Sequence, residues 1–123
     1  MIKTKLIYGR TSIERENKIA AMLEPNSMNA VIIEGIANGH SKLGEIDQND
    51  NIIIQRIAPG CPCCIGNLTM RVTLNRLLRK SPHHLYISLA SNEHLPTIRE
   101  FLQTAQYKDL LTLQEECNCD NSD

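Results

Sequence analysis

Ala30-Val31-Ile32-Ile33-Glu34 is the segment that most restricts how this chain folds. It is short, β-branched and continuous in apolar residues, which favours a strand. A strand with one wet face alternates apolar and polar side chains. This one does not, so it is to be buried on both faces, as in a parallel sheet covered by helices.

The flanking segments fit that plan. Lys5-Leu6-Ile7-Tyr8 predicts a first strand ending at Gly9. A helix follows from Ser12 to Leu23, with Thr11 and Glu14 as a capping box, Ile13, Ile19, Ala20 and Leu23 toward the core, and Pro25 as a stop. Residues 35–50 are polar and read as a loop. Asn51 to Ile57 is a third strand, and Ala58-Pro59-Gly60 ends it. Residues 66–80 have helical spacing, with Met70, Leu74, Leu77 and Leu78 on one face and Arg71, Arg76 and Arg79 solvated. Leu85 to Ala90 is a fourth strand. A helix runs from Pro96 to Thr104, and Leu110 to Leu113 is a last strand. Strands alternating with helices imply an α/β fold, a mostly parallel sheet with helices on both faces. We divide the chain into a single α/β domain, residues 1–114, and an acidic, cysteine-containing flexible tail, residues 115–123.

Composition narrows the function. A net charge of −1 argues against nucleic acid as partner. One Phe and no Trp leave little for base stacking. The apolar runs are far too short to span a membrane. Nothing near Met1 resembles a secretory signal, so a cytoplasmic protein is expected. In that compartment, clustered cysteines point to metal binding or redox chemistry before structural disulfides.

The cluster is Cys61-Pro62-Cys63-Cys64. Thiolates are soft ligands, and zinc takes four ligands in a tetrahedron. Pro62 stiffens the turn, while Gly60 and Gly66 permit tight backbone bends. The helix starting near Asn67 turns its positive end toward the thiols and favours their ionised form. Three sulfurs leave a fourth position for water, Glu34, a histidine or a partner subunit. Two other readings stay open, a redox pair and small buried side chains. Cys61 also follows a strand end, and ligands of such sheets bind beyond the carboxyl ends of the strands.

Ile57-Ala58-Pro59-Gly60-Cys61-Pro62-Cys63-Cys64-Ile65-Gly66-Asn67-Leu68 resembles the Gly-Cys-x-Cys-Cys segment of the CobW-like GTPases, P-loop metallochaperones of the class that includes HypB and UreG. The order of elements from Lys3 to Leu113 is similar too. The resemblance implies a P-loop GTPase-like three-layer architecture, with zinc or a similar transition metal bound by Cys61, Cys63 and Cys64 and with Glu34 beside them. It places Gly9, Arg10, Thr11 and Ser12 where that family binds GTP and magnesium. The match is incomplete there. Gly9-Arg10-Thr11-Ser12 looks like Gly-Lys-Thr-Thr without the preceding glycine loop. Ser88-Leu89-Ala90-Ser91 carries no acid where the family has Glu-Thr-Ser-Gly, and Glu93 is out of register. Asn17-Lys18 lacks the Asp that completes a guanine-reading motif, and the family's C-terminal domain is missing. The expectation is a truncated, degenerate relative that keeps its thiols and has lost GTP hydrolysis.

Secondary candidates are His40 and His94 near the cluster, and His83-His84 at the opposite end of the fourth strand. Cys117-Asn118-Cys119-Asp120 is a second thiol pair, which delivers ligands to the first cluster, captures a metal and passes it on, or has no role. The expected function is capture of a metal ion and its delivery to a recipient protein, in a chain that also has the option of a homo-oligomer. The alternatives are a GTP-binding protein with a shortened phosphate loop and a thiol redox sensor.

Overall fold

The structure, a computed structural model, describes residues 1–35, 43, 51–57, 65–91, 93 and 95–121. In chain order the elements are β1 (Ile2–Tyr8), α1 (Ser12–Met22), β2 (Asn29–Glu34), β3 (Ile52–Ile57), α2 (Ile65–Leu78), β4 (His84–Ser88), α3 (Leu95–Leu102), β5 (Leu111–Leu113) and β6 (Cys117–Asn118), with a 3₁₀ turn at Cys119–Asn121. The sheet runs β3-β2-β4-β1-β5, with β6 also on β1, and every pairing is parallel.

β2 behaves as its composition demands. It lies between β3 and β4, and Ala30 to Ile33 are all at 0% exposure. Ala30 and Ile32 join Leu6, Leu85 and Ile87 beneath α2 and α3, packing on Met70, Leu74, Leu77, Ile98 and Phe101. Val31 and Ile33 face the other way and meet Ile7, Tyr86 and Ile19 of α1. The result is three layers, an α/β fold with helices on both faces, consistent with a P-loop GTPase-like architecture.

Local chemistry sets the helix ends. Thr11 is extended and accepts the Glu14 N–H at 3.2 Å, as the capping box requires. Buried Asn29 braces the α1–β2 turn, donating from Nδ2 to the carbonyls of Glu24 at 2.9 Å and Ser27 at 3.0 Å. Arg71, read as solvated, lies 5.7 Å from the centre of the Phe101 ring and links α2 to α3.

Several expectations need correction. β1 begins at Ile2, not Lys5, because Ile2 to Thr4 pair with β5 and Lys3 onward with β4. Backbone pairing, not hydropathy, extends it. On α1 the buried residues are Arg15, Glu16 and Ile19, whereas Ile13 and Ala20 are only half-buried. Residues 116–121 of the segment read as a flexible tail lie against the sheet. Cys117 and Asn118 pair with Ile7 and Tyr8, and Glu116 forms a two-pronged ion pair with Arg99. β5 and β6 thus run in succession along the same strand, which leaves β1 interior to the sheet.

Candidate metal and anion site at the carboxyl end of the sheet

β1, β2 and β4 end together, and the chain turns from β1 into α1 at Gly9 and Arg10. Both have positive φ, +90° and +52°. That conformation is open to glycine and costly for arginine. Arg15 holds the turn from below. It is 5% exposed, and its Nη1 donates to the carbonyl oxygens of Gly9 at 3.1 Å and Arg10 at 2.7 Å, while Nε donates to Ser88 Oγ at 3.1 Å. Burial lowers its pKa, and Cys119, Glu16, Glu34 and Asp120 oppose that shift.

The outer side of the turn is covered by the chain's own C-terminal segment. The Arg10 N–H donates to Asp120 Oδ1 at 2.9 Å, and Arg10 Nε donates to the Cys119 carbonyl at 3.1 Å. Asn118 Oδ1 accepts the Asp120 N–H at 3.0 Å. A Cβ at Gly9 would stand 2.8 Å from Asn118 Oδ1 and 2.9 Å from the Asp120 nitrogen. Glycine is required here by close approach as well as by φ. A carboxylate therefore sits where the first turn of a helix attracts negative charge. Of the four residues assigned to nucleotide, Gly9 and Arg10 contact this segment, Thr11 is the N-cap, and Ser12 opens α1.

Glu34 ends β2 opposite Ile57, the last residue of β3. Its Oε1 accepts the Ala90 N–H at 3.1 Å, which ties it to the chain leaving β4. Cys61 is four positions beyond Ile57 in the sequence. Cys61, Cys63 and Cys64 lie outside the described residues, as do His40 and His94. Among the described residues no three His, Cys, Asp or Glu side chains group as metal ligands do. His83 is at the other end of the sheet, where its Nδ1 accepts the Met28 N–H at 3.2 Å. A cleft of about 580 Å³ opens at that same end, lined by Met1, Lys3, His84 and Asp109. It is remote from Glu34 and the Gly9 turn, and it brings no ligand group together.

Cys117 and Cys119 are free thiols, the first half-buried and the second 6% exposed. Both pack with Ile7, Ile19 and Ile33 on the α1 side of the sheet. Burial pushes the Cys119 thiol up, and the charge of Cys117 and a hydrogen bond with it push it further. Arg15 and Lys18 pull it the other way.

The sequence missed Arg15, Ser88, Asn118 and Asp120 as parts of this end of the molecule. The sequence assigns the core side of α1 to Ile13, Ile19, Ala20 and Leu23, and leaves Arg15 without a role. Only its place early in α1, six residues after a positive-φ glycine, marks Arg15, and that is visible once the turn is known. Asp120 carries no signal beyond its acidity.

No helix among the described residues is long and apolar enough to cross a membrane. No family model matches the chain, and no solved structure does. The chain spans about a third of the length of a curated relative that it matches. That relative is the zinc chaperone YeiR of Escherichia coli (strain K12), and the two are 28% identical over 118 residues, an alignment covering 93% of this chain and 36% of that protein.

Proposed function

We propose that this protein is a CobW-like metal carrier that takes a thiophilic transition-metal ion, zinc first among them, as cargo and passes it to a recipient protein. The observation that carries this reading is the similarity to a zinc chaperone, because an alignment over 93% of the chain takes in the segment around Cys61. Cys61, Cys63 and Cys64 are the proposed thiolate ligands, and Glu34 the neighbouring acid. Capture releases the thiol protons, and exchange of the fourth ligand lets the ion leave. Glu34 suits a supporting role, since a fixed carboxylate can orient or exchange with a metal-bound ligand.

We further propose that GTP is not hydrolysed. Phosphate loops work by aiming backbone N–H groups at the phosphates. Here the Arg10 N–H is taken by Asp120, and the carbonyls of Gly9 and Arg10 turn toward Arg15. No acid stands in Ser88-Leu89-Ala90-Ser91 to organise magnesium.

The test is native mass spectrometry with elemental analysis, on wild type and Cys63→Ala. Stoichiometric zinc in the wild type, weakened in the variant, is expected. A wild type that holds no zinc after loading, with unchanged thiol reactivity, would overturn the reading. Phosphate release from GTP with magnesium checks the second part, and turnover above a protein-free control would overturn it.

A further inference from the structure

We propose that Cys117 and Cys119 form a second thiol site, a two-sulfur chelate for a thiophilic d¹⁰ ion such as zinc. The inference borrows from the proposed function only the class of ion, and its residues are distinct from the Cys61 cluster.

The geometry comes from the way the segment docks. β6 pairs Cys117 with Ile7 and Asn118 with Tyr8. Asn118 turns its side chain onto Gly9. The residues on either side of it, Cys117 and Cys119, turn the other way, into the cluster under α1. One strand register and one 3₁₀ turn therefore set both sulfurs on one face. The chain enthalpy and entropy of bringing them together are already spent in the fold, as a chelate needs.

Their surroundings suit ligands better than filler. Two packed thiols would need only to be buried. Cys119 is, at 6%, but Cys117 remains half-open and gives an ion a route in. Arg15, fixed by three hydrogen bonds, and Lys18 one turn further along α1 also place two cations on the helix that covers this side of the sheet. The reaction balances without an oxidant. Each thiol gives its proton to water, the ion sheds two water ligands, and two metal–sulfur bonds form. Two coordination positions stay with water, which leaves the ion exchangeable.

The site stands at the same end of the sheet as Glu34 and the exit of β3 toward Cys61. A second thiol station there provides a step between the first cluster and a recipient.

Zinc competition titrations with native mass spectrometry test this on four forms. These are the wild type, a Cys61→Ser/Cys63→Ser/Cys64→Ser variant, a Cys117→Ser/Cys119→Ser variant and a variant with all five cysteines replaced by serine, each checked by circular dichroism. The triple variant is expected to keep one zinc, roughly 100-fold more tightly than a variant lacking all five thiols. The double variant is expected to lose that ion and keep the other. Should the double variant not fold, cobalt(II) added to the triple variant gives the answer alone, since a sulfur-to-cobalt charge-transfer band requires Cys117 or Cys119. A triple variant that binds no zinc or cobalt through sulfur overturns the second site. A double variant that binds none overturns the first. A wild-type mass lighter by two hydrogens in a cytosolic glutathione buffer, with the bridge mapped to Cys117–Cys119, makes the pair redox-active and also overturns the proposal.

Discussion

Arg10 and Asp120 stand 110 positions apart, yet the backbone N–H of the one donates to the side chain of the other at 2.9 Å. The contact closes the turn between β1 and α1 with the chain's own carboxylate. Asp120 is exposed, so the bond is worth less than a buried charged one. Asp120→Ala is expected to cost about 1 kcal/mol in denaturant unfolding. It should also speed amide exchange at Arg10 and across Cys117 to Cys119, with the rest of the sheet unaffected. Uniform exchange changes across the whole domain would mean that the segment does not unlock separately.

Gly9 meets the same segment from beneath. It combines a φ of +90° with three atoms of Asn118 and Asp120 within 3.0 Å of any added Cβ. Alanine there meets both the backbone penalty and the clash. Gly9→Ala is expected to destabilise by roughly 2–3 kcal/mol. Gly35 has φ +136° and, among the described residues, nothing within 4 Å of its Cβ position, so Gly35→Ala isolates the backbone component at about 1 kcal/mol. Equal losses in the two variants would show that the covering segment exerts no steric demand on Gly9.

These two sites mark what a sequence can and cannot convey. β2 was legible because an unbroken apolar run has few folded outcomes, and Thr11 because a cap acts within three residues. Glu34 was placed at a strand end by the same run. Arg15 was not legible, since hydropathy assigns a charged residue to water unless three acceptors await it, and those come from Gly9, Arg10 and the distant Ser88. Residues 116–121 look like a polar tail because their partners, β1 and Arg99, lie elsewhere in the chain. The cysteine pattern conveys ligand chemistry but not how its members are arranged.

Glu16 and Arg56 offer a test of the α1 face. Arg56 Nη1 and Nη2 donate to the two Glu16 carboxylate oxygens at 3.1 and 3.0 Å, with the Glu16 side chain only 2% exposed. Arg56→Ala leaves a buried carboxylate without its main partner, and the expected loss is about 2–4 kcal/mol. Arg56→Met with Glu16→Met should recover part of it, because no charge is then stranded. Recovery stays incomplete since Glu16 also supports the buried Arg15 cation. Chemical denaturation of the single and double variants checks both statements. A single variant within about 0.5 kcal/mol of wild type would reduce the pair to a surface contact.

The pairing of Arg99 with Glu116 makes the docked segment sensitive to acid. The hydrogen bonds from Arg99 hold the Glu116 carboxyl below its ordinary value of 4.5. A group whose pKa is lower folded than unfolded adds stability that is complete above the unfolded value and lost as pH falls through the folded one. Wild type should therefore be more stable than Glu116→Gln at about pH 7, and the difference should shrink as pH falls through the ordinary carboxylate range and vanish only once pH is under the lowered folded value. The Arg99 side chain is 42% exposed and that of Glu116 22%, so solvent and salt screen the pair and the effect belongs to the segment and to low salt more than to the global fold. Melting temperatures of both forms across that range, in low and high salt, provide the measurement. A gap that persists unchanged into acid would show that Glu116 acts through packing, and the ion pair would then not be what holds Cys117 and Cys119 against β1.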